Sequence, residues 1–208
     1  MLYALVNGNK TKAAQGLSGL CDICNAEMIP KCGEINIHHW AHKSLKECDT
    51  WHEPETNWHR EWKSHFLPEY TEIVIKQHNQ IHRADAISKD GIVIEFQHSP
   101  ISISEIRKRE LFYNRMIWVF DIAEARKPVT KVKYGHIFQE RRFKIYDKGN
   151  YYTFKWKYPK KSILSTSKPC YLDFGNDDLF LLKKIYNNHR GWGKLISKDE
   201  FLSDLTRR

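Results

Sequence analysis

The dipeptide Asp90-Gly91 is the feature that most restricts how this chain can fold, because alternating apolar and polar residues flank it on both sides. Asp-Gly pairs favour the tight turn of a β-hairpin. Residues 81–87 and 92–97 are therefore predicted to form two consecutive antiparallel strands. Side chains alternate between the two faces of a strand, so this register decides which polar residues lie together.

The predicted hairpin carries one carboxylate on each strand, Asp85 and Glu95. Both face the same side, close enough to share one cation, and Gln97 lies on that face as well. A paired Asp and Glu on an apolar hairpin is costly unless something neutralises the charge. Hard carboxylate oxygens suit Mg²⁺, so the pair is a candidate metal site. The alternative is an exposed sheet face on which both carboxylates meet water.

Further elements beside the hairpin complete the order helix, three strands, helix, strand. They are a helix over residues 51–66, a strand over 71–76, a helix over about 102–113 and a strand over 116–120. Pro68 ends the first helix, and Ser102 or Ser104 caps the second.

The predicted first helix places Glu55, His59 and Lys63 at positions i, i+4 and i+8, along one side. That side borders the inward face, which carries the aromatic residues Trp51, Trp58, Trp62 and Phe66. An acidic and a basic side chain at this border indicate a polar site beside the sheet. The alternative is that the three residues flank a core stripe and stay solvated.

A cysteine- and histidine-rich segment precedes that helix. Cys21 and Cys24 have the knuckle spacing that places two thiolates on one cation, and His39 and His42 follow. Two sulfurs and two imidazoles predict a closed, structural zinc site. Three further side chains compete as ligands: Cys32, His38 and Cys48. The other reading is a reduced, metal-free segment with buried thiols.

The stretch 126–161 contains 12 Lys and Arg against two acidic residues, and residues 143–158 are typical of a hairpin. Lys155 and Lys157 lie on one strand face and suit phosphate contacts. The opposite, aromatic face can stack bases, although such a face more often belongs to a core. Beyond it we predict helices over 177–186 and 197–205, the second with Ser197 as its cap.

Charge indicates the kind of partner. A net charge of +9 and a pI of about 9.2 favour a polyanion, most often nucleic acid. Apolar runs are far shorter than the roughly 20 residues of a membrane helix, and no signal peptide is recognised. An odd number of cysteines without an export signal argues against a disulfide framework. We therefore expect a cytoplasmic protein with no membrane partner; the oligomeric state stays open.

Taken together, these segments resemble the competence protein CoiA-like nucleases of the PD-(D/E)xK superfamily. The resemblance covers about residues 1–122 and rests on Glu55-x3-His59-x3-Lys63, Arg83-Ala84-Asp85, Ile94-Glu95-Phe96-Gln97-His98-Ser99, Arg109-x3-Tyr113, Cys21-x2-Cys24 and His39-Trp40-Ala41-His42. It implies an α/β fold with a PD-(D/E)xK restriction-endonuclease-like core (αβββαβ), an N-terminal zinc-knuckle-like module and a C-terminal β-hairpin plus helices. The implied divisions are 1–50, 51–122 and 123–208.

The resemblance also implies a Mg²⁺- or Mn²⁺-dependent deoxyribonuclease in DNA processing, recombination or uptake. Asp85, Glu95 and Glu55 are the implied metal ligands, and Lys63 and Gln97 complete the catalytic set. Gln97 stands where most of the superfamily has lysine. Glutamine can hydrogen-bond a water molecule, but it carries no charge and cannot act as a base.

Contacts to DNA are expected from the side chains His59, Arg83, Arg109, Lys155 and Lys157. Arg109 and Tyr113 lie four residues apart and can equally form a simple structural pair. Two other functions stay open. One is a DNA-binding accessory protein with the nuclease fold but little or no catalysis, which Gln97 leaves open. The other is a zinc-dependent interaction protein whose basic surface adheres to nucleic acid.

Overall fold

The chain has a mixed α/β fold in a computed structural model that describes residues 1–33, 38–44, 48–51, 54–122, 136–139, 143–186 and 189–206. Much of the basic stretch 126–142 lies outside these residues. The chain divides into two compact units, Met1–Val93 and Ile94–Arg208. The division into 1–50, 51–122 and 123–208 stays a prediction.

The first unit opens with five short strands. They are β1 (Tyr3–Val6), β2 (Asn9–Lys12), β3 (Gly19–Leu20), β4 (Glu27–Lys31) and β5 (His39–His42). They form one antiparallel sheet in the order β2-β1-β3-β4-β5. Its small core is centred on Met28 and Trp40. The Trp40 indole belongs to a cluster with sulfur-containing and aliphatic side chains. The Trp40 indole N–H also donates to the Thr11 carbonyl at 2.9 Å.

A helix and a hairpin complete the first unit. They are α1 (Asn57–Ser64), a 3₁₀ turn (Pro68–Tyr70), β6 (Thr71–Gln77) and β7 (Gln80–Ile87). β6 and β7 pair antiparallel with Gln77 opposite Gln80. The two residues between them, His78 and Asn79, both have positive φ, which is the conformation of the turns that suit twisted hairpins.

In its described residues, the second unit consists of a larger mixed sheet and three helices. Its elements are β8 (Val93–Gln97), α2 (Ile103–Tyr113), β9 (Met116–Asp121), β10 (His136–Gln139), β11 (Phe143–Asp147), β12 (Tyr152–Trp156), α3 (Lys161–Leu164), β13 (Cys170–Asp173), β14 (Asp178–Ile185), β15 (Arg190–Ser197) and α4 (Lys198–Thr206). The strand order is β8-β9-β13-β14-β15-β12-β11-β10. β9 and β13 are parallel, and the strands from β13 to β10 pair antiparallel.

The predicted order of elements from α1 to β9 is present, and the strand bounds differ from the prediction by at most one residue. Ser102 is the cap of α2, since its hydroxyl accepts from the Glu105 N–H at 3.1 Å. Ser197 likewise accepts from the Glu200 N–H at the start of α4. The predicted hairpin over 143–158 corresponds to β11 and β12. That α1 to β9 constitute a PD-(D/E)xK core stays a proposal.

Two predicted helices differ from the structure. The helix expected over 51–66 is α1, which begins only at Asn57 because Thr56 caps it. The helix expected over 177–186 is wrong, since this stretch forms β14 between β13 and β15. Leu179, Phe180 and Leu181 are consecutive and all buried. A strand that is covered on both faces can bury three successive side chains in this way.

Candidate active site and metal centre

A buried lysine forms the centre of a charged cluster in the first unit. The Lys63 ammonium lies 3.1 Å from Glu55 Oε2, 3.2 Å from Glu72 Oε1 and 3.1 Å from Asp85 Oδ1. Its side chain is only 5% exposed. Burial alone would lower the pKa of Lys63, but the carboxylates of Asp85, Glu72 and Glu55 raise it well above its usual value of 10.5. The lysine is therefore held charged among three acidic groups.

Glu55 reaches this cluster from ahead of the helix and not from within it. The N-cap of α1 is Thr56, whose hydroxyl accepts from the His59 N–H at 3.2 Å and contacts His59 Nδ1 at 2.8 Å. The prediction that Glu55, His59 and Lys63 lie along one side of a single helix is therefore wrong, because Glu55 precedes the helix. Glu55 and Lys63 still meet, whereas His59 is buried at the cap, with little surface for a phosphate.

Glu72 is the member of the cluster that sequence analysis missed. Its carboxylate accepts from the Leu2 N–H at 2.8 Å and the Tyr3 N–H at 3.1 Å, in addition to Lys63. Its φ of +51° is unusual for a residue with a side chain. We attribute this backbone conformation of Glu72 to the three donors, which hold its carboxylate in place. Glu72 thus ties β1 to the lysine.

Asp85 joins the cluster through the register of β6 and β7. Thr71 lies opposite Ala86 and Ile73 opposite Ala84, so Glu72 and Asp85 stand across from one another. Directly opposed residues of antiparallel strands share a face. Antiparallel pairing of the strands expected over 71–76 and 81–87 gives this same register, from which Glu72 could have been found. The Asp85 side chain is 22% exposed, and it is the most accessible carboxylate of the three.

The acid sensitivity of the fold tests the role of Glu72. Burial alone would raise the pKa of Glu72, but Lys63 and further positive groups lower it from the usual 4.5 to about 2. A lowered folded-state pKa stabilises the protein above the unfolded value and loses that contribution as the pH falls. We expect the free energy of unfolding of wild type to exceed that of Glu72→Gln by about 1–3 kcal/mol at pH 7. This difference should disappear as the pH falls from 4.5 to about 2.

Urea unfolding at several pH values measures that gap. The matched control is Glu69→Gln, because Glu69 is exposed and its amide should unfold like wild type at every pH. A gap between wild type and Glu72→Gln that does not change with pH would contradict this role.

A second cluster in the first unit consists of metal-ligating side chains. The ligand atoms of Cys21, Cys24, His42 and Cys48 all lie within 4.8 Å of one another. The Cys21 and Cys48 sulfurs are 3.6 Å apart, and Cys24 Sγ lies 3.4 Å from His42 Nε2. A tetrahedron with Zn–S bonds of about 2.3 Å has sulfurs about 3.8 Å apart. These four side chains can therefore hold one metal ion, and the donor set fits structural zinc.

Cys48 takes the place that the sequence analysis gave to His39. On β5 the residues alternate, so Trp40 and His42 are buried on one face while His39 and Ala41 lie on the other. Two residues three positions apart in a strand cannot point to the same side, which is why His39 and His42 do not join one site. The expected set of Cys21, Cys24, His39 and His42 is corrected accordingly.

The electrostatic state of the cysteine cluster suits a cation. Burial alone would raise the pKa of the Cys21 thiol, but hydrogen bonds from the Cys24 and Ile23 backbone and from Cys48 and His42 bring it down to about 7. A thiolate is the form that binds metal. Burial and the neighbouring Cys21 raise the pKa of the Cys48 thiol.

Metal analysis of single variants tests this assignment. Protein purified without added metal should carry one zinc ion per chain, and Cys48→Ser should lose it because a hydroxyl is a poor zinc ligand. His39→Ala and Cys32→Ser are the matched controls and should keep the metal. Elemental analysis and thermal melting of the four proteins decide the ligand set. Retention of zinc by Cys48→Ser with loss in His39→Ala would restore the set expected from sequence.

Residues next to the cysteines also hold β7. The Asp49 carboxylate accepts from the Arg83 N–H at 2.8 Å and lies 2.9 Å from His82 Nδ1. The Arg83 guanidinium binds Asp22 and contacts Met1 Sδ. Arg83 is thus engaged within the protein, and its side chain is only 9% exposed. The sequence-based expectation that Arg83 contacts DNA does not fit this burial.

The remaining predicted catalytic residues belong to the second unit and are buried there. Glu95 Oε2 accepts from Arg109 Nη1 at 2.8 Å. Gln97 is only 2% exposed, and its amide donates to the Ser99 carbonyl at 2.9 Å. Arg109 is paired with Glu95 and lies 3.5 Å from Glu105, so the expected DNA contact by Arg109 does not fit its surroundings either. Lys155 and Lys157 are exposed, as a phosphate contact requires.

Comparison with known protein families connects these features. Residues 9–50 match the family described as competence protein CoiA, N-terminal domain. Residues 56–190 match competence protein CoiA, nuclease-like domain, which is more than half of the chain. The chain belongs to the CoiA family. The family resemblance inferred from sequence is thereby confirmed. The CoiA N-terminal match contains the cysteine cluster, and the nuclease-like match contains Lys63, Glu72 and Asp85.

No curated protein and no solved structure matches this CoiA-family chain. In the described part of the chain, no helix is both long and apolar enough to span a membrane.

Proposed function

We propose that this protein is a metal-dependent deoxyribonuclease of the PD-(D/E)xK type, acting in competence-related DNA processing, recombination or uptake. One observation carries the proposal. Three predicted catalytic side chains meet in the fold. The carboxylates of Glu55 and Asp85 each lie 3.1 Å from the ammonium of Lys63. A buried ionic cluster adds little to stability compared with apolar side chains of similar volume. Such clusters are common at catalytic sites.

The residues of the cluster fit a divalent cation. Carboxylate oxygens are the ligands that Mg²⁺ and Mn²⁺ take in proteins. Glu55 Oε1 is buried and has no hydrogen-bond partner among the residues that the structure describes, which leaves it available for a cation. Asp85 is accessible from solvent, whereas Glu72 is fully used by backbone donors and Lys63. We therefore assign Asp85 and Glu55 to the metal and keep Glu72 as a positioning residue.

Glu95 and Gln97 complete the proposed set by their place in the chain. They follow Asp85 after the turn at Asp90 and Gly91, where the Ser88 N–H donates to the Ile92 carbonyl at 2.8 Å. We assign Glu95 as a further metal ligand and Gln97 as a hydrogen-bonding partner of water. This assignment rests on the sequence pattern and on the nuclease-like family match.

The proposed reaction is hydrolysis of a phosphodiester. Water attacks phosphorus, the bond from phosphorus to one ester oxygen breaks, and that oxygen leaves with a proton. A bound divalent cation supplies Lewis acidity toward the phosphate and the attacking water. Lys63 orients the Glu55 and Asp85 carboxylates through its ion pairs, and its ammonium adds positive charge where negative charge grows in the transition state.

A DNA-binding accessory role is the second candidate, and the burial of Gln97 favours it. Most of the superfamily has a lysine here, whereas the Gln97 amide is neutral, 2% exposed and bonded to its own loop. If Gln97 positions water, Gln97→Ala should lower turnover by more than it lowers DNA affinity. If the protein only binds DNA, hydrolysis is absent in wild type and in the variant alike.

The deciding experiment is a cleavage assay on purified protein. Linear, nicked and circular duplex DNA, and linear and circular single-stranded DNA, are incubated with Mg²⁺, Mn²⁺, Ca²⁺ or EDTA. The nuclease proposal requires cleavage with Mg²⁺ or Mn²⁺ that EDTA abolishes. Metal-independent cleavage, or none under any of these conditions, contradicts it, and DNA binding without cleavage selects the accessory role.

A further inference from the structure

One face of the second unit's sheet is exposed and differs sharply from its core side. It is made by β11, β12, β15 and the end of β14. Thr153 pairs with Trp192 and Lys155 with Arg190, while Tyr146 lies opposite Thr153 and Lys184 opposite Trp192. Directly opposed residues share a face. These six side chains therefore form one continuous surface across four strands.

The core side of the same strands forces the aromatic residue outward. Gly191 and Gly193 flank Trp192, and a Cβ at either position would lie 2.7 Å from Phe154 Cζ or 2.6 Å from Phe180 Cε1. The two phenylalanine rings fill that side and meet edge to face at 5.5 Å. No side chain fits on β15 there, so this part of β15 carries its bulk, Trp192, on the exposed face.

The exposed face contains an open aromatic groove of about 530 Å³. Its lining includes Tyr151, Tyr186 and Trp192, with Thr153 and Lys194 beside them. The Tyr151 and Trp192 rings meet nearly perpendicular at 6.1 Å. Tyr151 is 42% and Tyr186 is 48% exposed. Large aromatic rings at this exposure carry a free energy cost in water, which a stacking ligand would offset.

Positive charge surrounds the groove. Lys155, Lys184, Arg190 and Lys194 are all exposed, and the first three lie on the groove's face by the strand register. Asp147 lies opposite Tyr152, on the other face of these strands. Asp147 and Asp178 act on Tyr152 and help to raise its pKa after burial, and Tyr152 shares its face with the buried Phe154. Among the described residues, the side chains that the strand register places on the groove's face include several cations and no carboxylate.

We propose that this aromatic and basic face binds single-stranded DNA, with bases stacked on Trp192, Tyr151 and Tyr186 and phosphates against the surrounding lysine and arginine side chains. Aromatic stacking requires unpaired bases whose faces are open, and a duplex hides them. Cations along the rim match the phosphate backbone. That this face is a substrate site rests on the proposed nuclease function. Lys155 thus belongs to a wider surface than the single strand face predicted from sequence.

Fluorescence anisotropy with a labelled oligothymidylate of about 12 nucleotides, in Ca²⁺ without Mg²⁺ or Mn²⁺ so that nothing is cut, tests the proposal. Trp192→Ala should weaken binding about tenfold, which corresponds to one stacked base, while Trp192→Phe should stay within about threefold of wild type. Lys155→Glu should weaken binding and reduce its salt dependence. The matched controls are Tyr70→Ala and Lys108→Glu, an exposed aromatic and an exposed lysine elsewhere, which should bind like wild type.

The competing outcomes are distinguishable. Duplex of the same length should bind more weakly and should not respond to Trp192→Ala, and polyglutamate should compete poorly. Equal effects on duplex and single strand, or displacement by polyglutamate as efficient as by DNA, would overturn the proposal. Should Trp192→Ala lower the melting temperature, Tyr186→Ala, at an exposed ring, provides the same test. Trp192-dependent binding without any cleavage would retain this site and reject the nuclease.

Discussion

Replacing Lys63 with methionine is expected to lower the free energy of unfolding by about 3–5 kcal/mol, the cost of removing one partner from a buried ionic cluster. The substitution keeps the apolar stem but leaves three carboxylates without their shared cation. Glu72 suffers most, because it is 3% exposed and cannot turn toward water. Urea unfolding at pH 7, followed by circular dichroism, measures the loss.

The pH dependence of Lys63→Met separates charge from packing. A raised folded-state pKa means that the lysine contributes below its unfolded value of 10.5 and loses that contribution as the pH rises through the higher folded value. In the variant, the Glu72 carboxylate lacks the ammonium that lowers its pKa, so it takes up a proton more readily. The deficit relative to wild type should therefore shrink as the pH falls from 4.5 toward 2.

Two further variants complete the Lys63 test. Arg60→Met, a half-buried cation in the same helix, should cost at most about 0.5 kcal/mol. Glu72→Gln in the Lys63→Met background should recover part of the loss, since one of the uncompensated charges is gone. A loss below about 1 kcal/mol in Lys63→Met, or a deficit that does not change with pH, would mean that the cluster is not held by the lysine's charge.

The hairpin pattern was the most informative part of the sequence. Strict alternation and turn residues located β6, β7 and β8 to within two residues, because these signals are local to the chain. Serine caps located the starts of α2 and α4 for the same reason. The α1 start was placed too early because Trp51 continues the aromatic spacing of the helix, whereas in the structure Trp51 stacks on His82 at 3.3 Å.

Residues that depend on contacts distant in the chain were the ones sequence analysis missed. Glu72 is fixed by donors some 70 positions away, at Leu2 and Tyr3, and nothing near it in sequence announces them. Cys48 enters the metal cluster because the chain returns to Cys21, while His39 is excluded by strand alternation alone. Had β5 been recognised as a strand, the pairing of His39 with His42 could have been rejected from spacing.

The region of β14 shows the limit of periodicity. Its run of apolar residues fits either a helix or a strand buried on both faces, and the outcome is set by β13 and β15, which flank it. The same neighbours place Trp192 beside Thr153 and Lys155. The candidate DNA surface was therefore only partly predictable: Lys155 could be found from strand alternation, but its aromatic partners could not.

Asp85→Asn is expected to reduce cleavage in Mg²⁺ by at least about 10³-fold, because the amide keeps the shape of the side chain but no longer neutralises a divalent cation at the reacting phosphate. Glu95→Gln should act in the same direction. DNA affinity measured in Ca²⁺ should stay within about threefold of wild type, since the phosphates are held by basic side chains on other surfaces. Single-turnover rates and anisotropy give the two quantities separately.

The matched control for this prediction is Asp90→Asn, five residues further along the chain. Asp90 is exposed in the turn after β7, and Asn-Gly supports such a turn as well as Asp-Gly does. Its cleavage rate should equal that of wild type, while both variants remain folded by thermal melting. Mg²⁺-dependent cleavage retained in Asp85→Asn would remove Asp85 from the metal site. Equal losses of rate and affinity would instead make Asp85 a residue that shapes the DNA-binding surface.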